Sequence, residues 1–170
     1  AWGVQDDALA IDGKTMKNAT DEAGHQTHIM SVVGHDSKTC HTQKKSAIAR
    51  EGSDEQKRTN EIGMAIPLLE GCDITGKDVT GDALLTQRAL ASYIVDRQAH
   101  YHFTAKASQP GLQRDIALLF EKRGPADFIE VASADHGRIE LRSIWCSTAI
   151  NDYLDFPHVG QVFLVERESI

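Results

Sequence analysis

Two aspartates end stretches that read as β-strands: Asp12 in Ala-Ile-Asp-Gly-Lys and Asp82 in Val-Thr-Gly-Asp-Ala. Taken singly, each reads as a turn or cap residue, because Asp is a common turn former. Taken as a pair on neighbouring strands they imply something else. Two carboxylates in contact disfavour joint ionisation, and a divalent cation removes that cost. Hard oxygen donors suit Mg2+ or Mn2+. Two such ions can hold the attacking and the leaving oxygen of a phosphoryl transfer. The chemistry therefore depends on whether the chain sets the two strands side by side.

The order of elements bears on that. Ala8–Met16 reads as a strand in which Leu9 and Ile11 alternate with Ala10 and Asp12. Asn18–Gly24 is polar and reads as a loop, His28–Val33 as a second strand, and Lys45–Ala49 as a third. From Asn60 to Glu70 the period becomes helical, with Ile62, Ala65, Ile66 and Leu69 on one face. Thr59 is the expected N-cap, Pro67 predicts a kink or early break, and Gly71 suits the stop. A fourth strand covers Asp78–Leu84. A helix carrying Leu90, Tyr93 and Ile94 follows, then a fifth strand over Tyr101–Ala105. Pro110 opens a helix with Leu112, Ile116, Leu119 and Phe120 at helical spacing. After Pro125 the chain is β-rich, with strands over Phe128–Ala132, Ile139–Trp145 and Val162–Glu166 and a turn at Asp135–Gly137. Three strands followed by alternating helices and strands describe an α/β mixed sheet flanked by helices, in the order of the RNase H-like fold. The expected division is a core over residues 1–124 and a β-rich insertion over 125–170.

Five segments carry a more specific signal: Ile11-Asp12-Gly13-Lys14; Lys57-x-x-Asn60-Glu61-Ile62; Asp82-Ala83 with Gln87; Tyr101 to Lys106 with Gln109; and His136-Gly137-Arg138-Ile139-Glu140-x-Arg142. In this order and spacing the chain resembles the catalytic domain of bacterial insertion-sequence transposases of the DDE type, in the ISAs-type branch that includes the H-repeat-associated proteins. The resemblance runs over nearly the whole chain. It implies DNA transposition, that is, metal-dependent cleavage at the element's ends and strand transfer to target DNA. Asp12 and Asp82 match the first two metal-binding acids, with Mg2+ or Mn2+, two ions in the complete enzyme, as cofactor. Lys14, Lys106, Gln109, Arg138 and Arg142 are the implied DNA-contacting residues. Lys106 and Gln109 match a Lys-Gly-Asn-Gln element in which this chain has Ala107 and Ser108. The implied partners are the terminal repeats and target DNA, with a homodimer as the complete enzyme. The family's third acid lies in a later His-Trp-x-Ile-Glu-Asn element that does not occur before Ile170. The expectation is therefore a core truncated at its C-terminal side. Glu140 is the other candidate for a third ligand, but it alternates within a strand-like run, whereas the family's third acid is helical. An ion pair with Arg138 or Arg142 is its simpler role.

Bulk properties narrow the alternatives. The 170 residues are 41% hydrophobic and 25% charged, ordinary for a globular domain. No apolar run reaches the roughly 20 residues that span a bilayer, and no signal segment opens the chain, so no membrane and a cytoplasmic location are expected. Cys40, Cys72 and Cys146 lie far apart and read as reduced. A formal net charge of −7 opposes a nucleic-acid partner, since phosphate contacts supply most DNA affinity. That charge and the missing acid favour one rival, a non-catalytic transposase remnant. The other rival is a metal-dependent nuclease that cuts without joining. His25 and His28 read as a solvated pair, His100 and His102 as cross-strand polar residues, and Trp145 as core.

Overall fold

The computed structural model describes residues 6–20, 22, 26–48, 54–134 and 138–169. Strands β1 (Ala8–Thr20), β2 (Gln26–Gly34) and β3 (Cys40–Ile48) form an antiparallel meander. Helix α1 (Asp54–Leu69) leads to β4 (Asp78–Gly81), and a 3-10 turn (Ala83–Leu85) and helix α2 (Arg88–Asp96) lead to β5 (His100–Phe103). Strand β4 pairs in parallel with β1 on one side and with β5 on the other. The sheet order is β3-β2-β1-β4-β5, the RNase H-like order that the element pattern predicts.

Strand periodicity builds the core. Leu9 and Ile11 of β1, Met30 and Val32 of β2, and Val79 of β4 are buried and pack with Ala65, Leu68 and Leu69 of α1 and with Leu90 and Ile94 of α2. Successive strand side chains alternate faces, so Ala10 and Asp12 fall on the other side from Leu9 and Ile11.

Several element ends differ from expectation. Helix α1 begins at Asp54, so Thr59 lies inside the helix and is not its N-cap. The Asp-Glu-Gln-Lys run that opens it favours a helical first turn without any apolar stripe. Pro67 neither breaks α1 nor ends it early; the helix runs on to Leu69. Proline here removes a bond only from the last turn, and wholly buried Leu68 and Leu69 hold that turn by packing. Strand β1 extends to Thr20, across part of the expected loop, and closes on Gln26 after a register shift. Strand β3 starts at Cys40, well before Lys45. It is an edge strand, and its polar sequence obscures the period.

The chain divides into two compact units, Ala1–Ser108 and Gln109–Ile170. The second unit contains α3 (Pro110–Leu119) and the antiparallel sheet β6 (Phe128–Ala134), β7 (Arg138–Ser147) and β8 (Val162–Ser169). Its core joins Phe120 to Leu154 and Val162, with Leu112, Ile116 and Trp145 packed around them. Helix α3 thus belongs with this sheet, where the sequence pattern sets the boundary after Gly124. The expected turn at Asp135–Gly137 lies outside the described residues.

Candidate active site

The parallel pairing of β1 with β4 ends at Ile11 opposite Gly81. Asp12 and Asp82 are the next residues on these adjacent strands, and both are exposed. Asp82 holds an extended backbone (φ −71, ψ 175) and caps the following 3-10 turn. Its Oδ1 accepts from the backbone N–H of Leu84 at 3.0 Å and of Leu85 at 3.3 Å. The bland reading of Asp82, a cap, is therefore true, and the cap also fixes the carboxylate at the carboxyl end of β4.

The loop after β5 is tied to that turn. Ser108 Oγ donates to the Ala83 carbonyl at 3.2 Å and Thr86 Oγ1 donates to the Thr104 carbonyl at 2.9 Å. Lys106, exposed, stands within this braced loop. Lys14 is exposed on β1, two residues beyond Asp12 and on the same face.

A third carboxylate approaches from the core side. Glu61 of α1 lies over Gly13, where a Cβ would sit 3.2 Å from Glu61 Oε1 and 3.2 Å from His28 Nε2. His28 is 1% exposed. Its Nδ1 lies 3.0 Å from Thr15 Oγ1, and its Nε2 lies 3.2 Å from Glu61 Oε1. Burial pushes the Glu61 carboxyl up, and the negative charges of Asp82 and Asp12 add to the rise. His28 is therefore not one of a solvated pair but a buried link between β2, β1 and α1; His25 lies outside the described residues. The sequence did carry a sign of Glu61: it stands four, seven and eight positions before Ala65, Leu68 and Leu69, on the helix face that packs against the sheet.

The remaining candidates lie in the second unit. Gln109 immediately precedes α3 and makes no side-chain capping bond. Arg138 occupies β7 opposite Ala134. Arg142 donates to both oxygens of Glu140, at 3.3 and 3.2 Å, and to Glu130 at 3.3 Å. Hydrogen bonds from Arg142 in turn hold the Glu140 carboxyl below its usual range. These charges form a cross-strand ladder on β6, β7 and β8, which Arg167 extends 3.8 Å from Glu140. In the same way His102 lies 3.2 Å from Asp78 on the neighbouring strand.

Among the described residues no three His, Cys, Asp or Glu side chains gather closely enough to cage a metal. What Asp12 and Asp82 offer is a pair of carboxylates, a donor set that fits a hard cation keeping several waters. Among the described residues no helix is long and apolar enough to cross a membrane.

No family model matches the chain. It is 31% identical over 168 residues to an uncharacterised protein in the dhlA 3' region of Xanthobacter autotrophicus, covering 94% of this chain and 54% of that protein. It is 29% identical over 156 residues to "H repeat-associated putative transposase YhhI" of Escherichia coli, covering 88% of this chain and 39% of that protein. The chain thus spans about half, or less, of the length of these relatives. Among solved structures, a piggyBac transposase synaptic complex with hairpin DNA aligns over 94% of this chain and 32% of its own, with a TM-score of 0.47 and 10% identity. The fold rests on the strand order and the kinship on the sequence: the chain is a relative of proteins named as H repeat-associated putative transposases.

Proposed function

We propose that this chain is the metal-binding part of a DNA transposase, with Asp12 and Asp82 as carboxylate ligands of Mg2+ or Mn2+. The observation that carries the reading is the parallel register Ile11–Gly81, which makes the two aspartates successors on adjacent strands in a relative of transposases. A bound divalent ion would polarise a phosphodiester and lower the pKa of its water. The protein's own part is positional. The Asp82 cap and the β1 register hold the two carboxylates, and Lys106, in the braced loop beside Asp82, meets the DNA phosphate. Lys14 adds a second cation on the Asp12 face. Gln109 and Arg138 are further candidates for the DNA, while Arg142 is engaged by Glu140 and Glu130. A homodimer acting on paired ends rests on the family resemblance.

The test is a strand-transfer assay on labelled DNA bearing the repeats that bound the chain's own gene, in Mg2+ and in Mn2+. Joined products that disappear in Asp12→Asn and Asp82→Asn support transposition. Cleaved but unjoined products support the nuclease reading. Cleavage that survives both substitutions contradicts the assignment of the two aspartates.

A further inference from the structure

Glu61 has no role in the pair just described, yet its surroundings are built for one. A glutamate on the inner face of a helix, beside Ala65, Leu68 and Leu69, is costly to hold there unless it is compensated. The group that the described contacts place at its carboxylate is the ring of His28, with Nε2 3.2 Å from Glu61 Oε1, itself wholly buried and with its other nitrogen 3.0 Å from Thr15 Oγ1. The contact sits at Gly13, the residue after Asp12, where the missing side chain leaves room for Glu61 Oε1 and His28 Nε2 to approach the strand. Any other residue at position 13 would press its Cβ against both groups. Glu61 is 22% exposed at its side chain, and it stands over Gly13, the residue next to Asp12. Yet it does not join them in a three-carboxylate cage.

We infer that Glu61, held by His28, is a positioning residue of the Asp12–Asp82 centre: an outer carboxylate that accepts hydrogen bonds from the waters of the bound cation without ligating the cation itself. This rests on the reading of Asp12 and Asp82 as metal ligands. Magnesium and manganese held by one or two carboxylates keep several waters, and those waters need acceptors. Groups that orient such ligands from outside commonly alter metal affinity by 10–100-fold. The pair His28–Glu61 ties the acceptor to β1 and β2, so the water shell is met by a group that the core has already ordered.

The test is Mn2+ binding to the chain by isothermal titration, with folding checked by thermal melts. Glu61→Gln keeps the shape and removes the charge. It should weaken Mn2+ about tenfold while the thermal midpoint holds or rises, because the desolvated charge is gone. His28→Asn, which can still reach Thr15 but loses the nitrogen facing Glu61, should weaken Mn2+ in the same direction. Asp12→Asn should abolish the site. If Asp12→Asn abolishes binding while Glu61→Gln and His28→Asn, both folded, bind as the parent does, Glu61 plays no part and the aspartate pair stands alone. If Asp12→Asn itself binds as the parent does, the metal centre is misassigned and the role of Glu61 falls with it.

Discussion

Asp6 and Asp12 lie six positions apart in the sequence and have opposite fates. Asp6 is fully buried. It accepts from Ser37 Oγ at 2.6 Å, the Ser37 N–H at 2.9 Å, His41 at 2.9 Å and the Asp36 N–H at 3.1 Å. Those bonds, led by the one from the Ser37 hydroxyl, hold its carboxyl well below the usual carboxylate range. A carboxylate with a depressed folded pKa contributes stability that is fully present above its unfolded pKa of about 4 and is lost as pH falls below it. Thermal midpoints of the parent should therefore fall between roughly pH 4 and pH 2. Those of Asp6→Asn should start lower and fall less over the same window; parallel curves would show that Asp6 is not the titrating anchor. Gly34 belongs to the same anchor, since a Cβ there would stand 2.0 Å from Asp6 Oδ2. Gly34→Ala should lower the midpoint by about 5 °C or more, and an unchanged melt would contradict the buried position of Asp6. Asp12, exposed on the opposite face from the core, has no such ring of donors among the described contacts. That contrast separates an acid that the fold anchors from one that the fold leaves exposed. Asp12 and Asp82 were legible as a candidate pair because each stands in a recognisable motif, although β1 does not end at Asp12 but runs on to Thr20. Asp6 and His28 were not legible, because their meaning lies in partners 13 to 35 residues away, and of Glu61 the sequence shows only its helix face.

At the scale of elements, strong apolar periods mark their strands and helices, and polar stretches do not. Strands β1, β2 and β4 and helices α2 and α3 fall where Leu9 and Ile11, Met30 and Val32, Val79, Leu90 and Ile94, and Leu112 and Ile116 put them, although β4 stops at Gly81 and Leu84, expected in the strand, lies in the 3-10 turn that Asp82 caps. The errors cluster where backbone pairing or propensity acts without a buried face, as in the long β1–β2 hairpin, edge strand β3 and the first turns of α1. Helix α1 is the element on which the site depends, because it carries Glu61 and closes the core over β1 and β2. Its attachment is the buried pair Leu68 and Leu69 just after Pro67. Leu68→Ala should cost about 2–5 kcal/mol of unfolding free energy, read as a lower urea midpoint with an unchanged slope. A cost under about 1 kcal/mol would mean that the end of α1 is not docked as described.

On the scale of the whole molecule, the chain has two units, each with its own core. Leu154→Ala removes a side chain from the second core alone. Amide exchange should quicken through residues 109–170 while the amides of Leu9 and Val79 keep their protection; equal acceleration in both units would show one cooperative core. The formal net charge of −7 remains the main tension with a DNA substrate. In the proposed function a divalent ion at Asp12 and Asp82 would ease it, with exposed Lys14 and Lys106 as the nearby cations offered to the phosphate. The claim on which the rest depends is that these two aspartates share one cation. Titrating the chain with Mn2+ and following amide NMR tests it directly, with Asp12→Ala as the comparison. The expected result is broadening centred on Ile11–Gly13 and Gly81–Leu84, absent in Asp12→Ala. Broadening that is missing, or scattered over surface carboxylates and unchanged by the substitution, would contradict it.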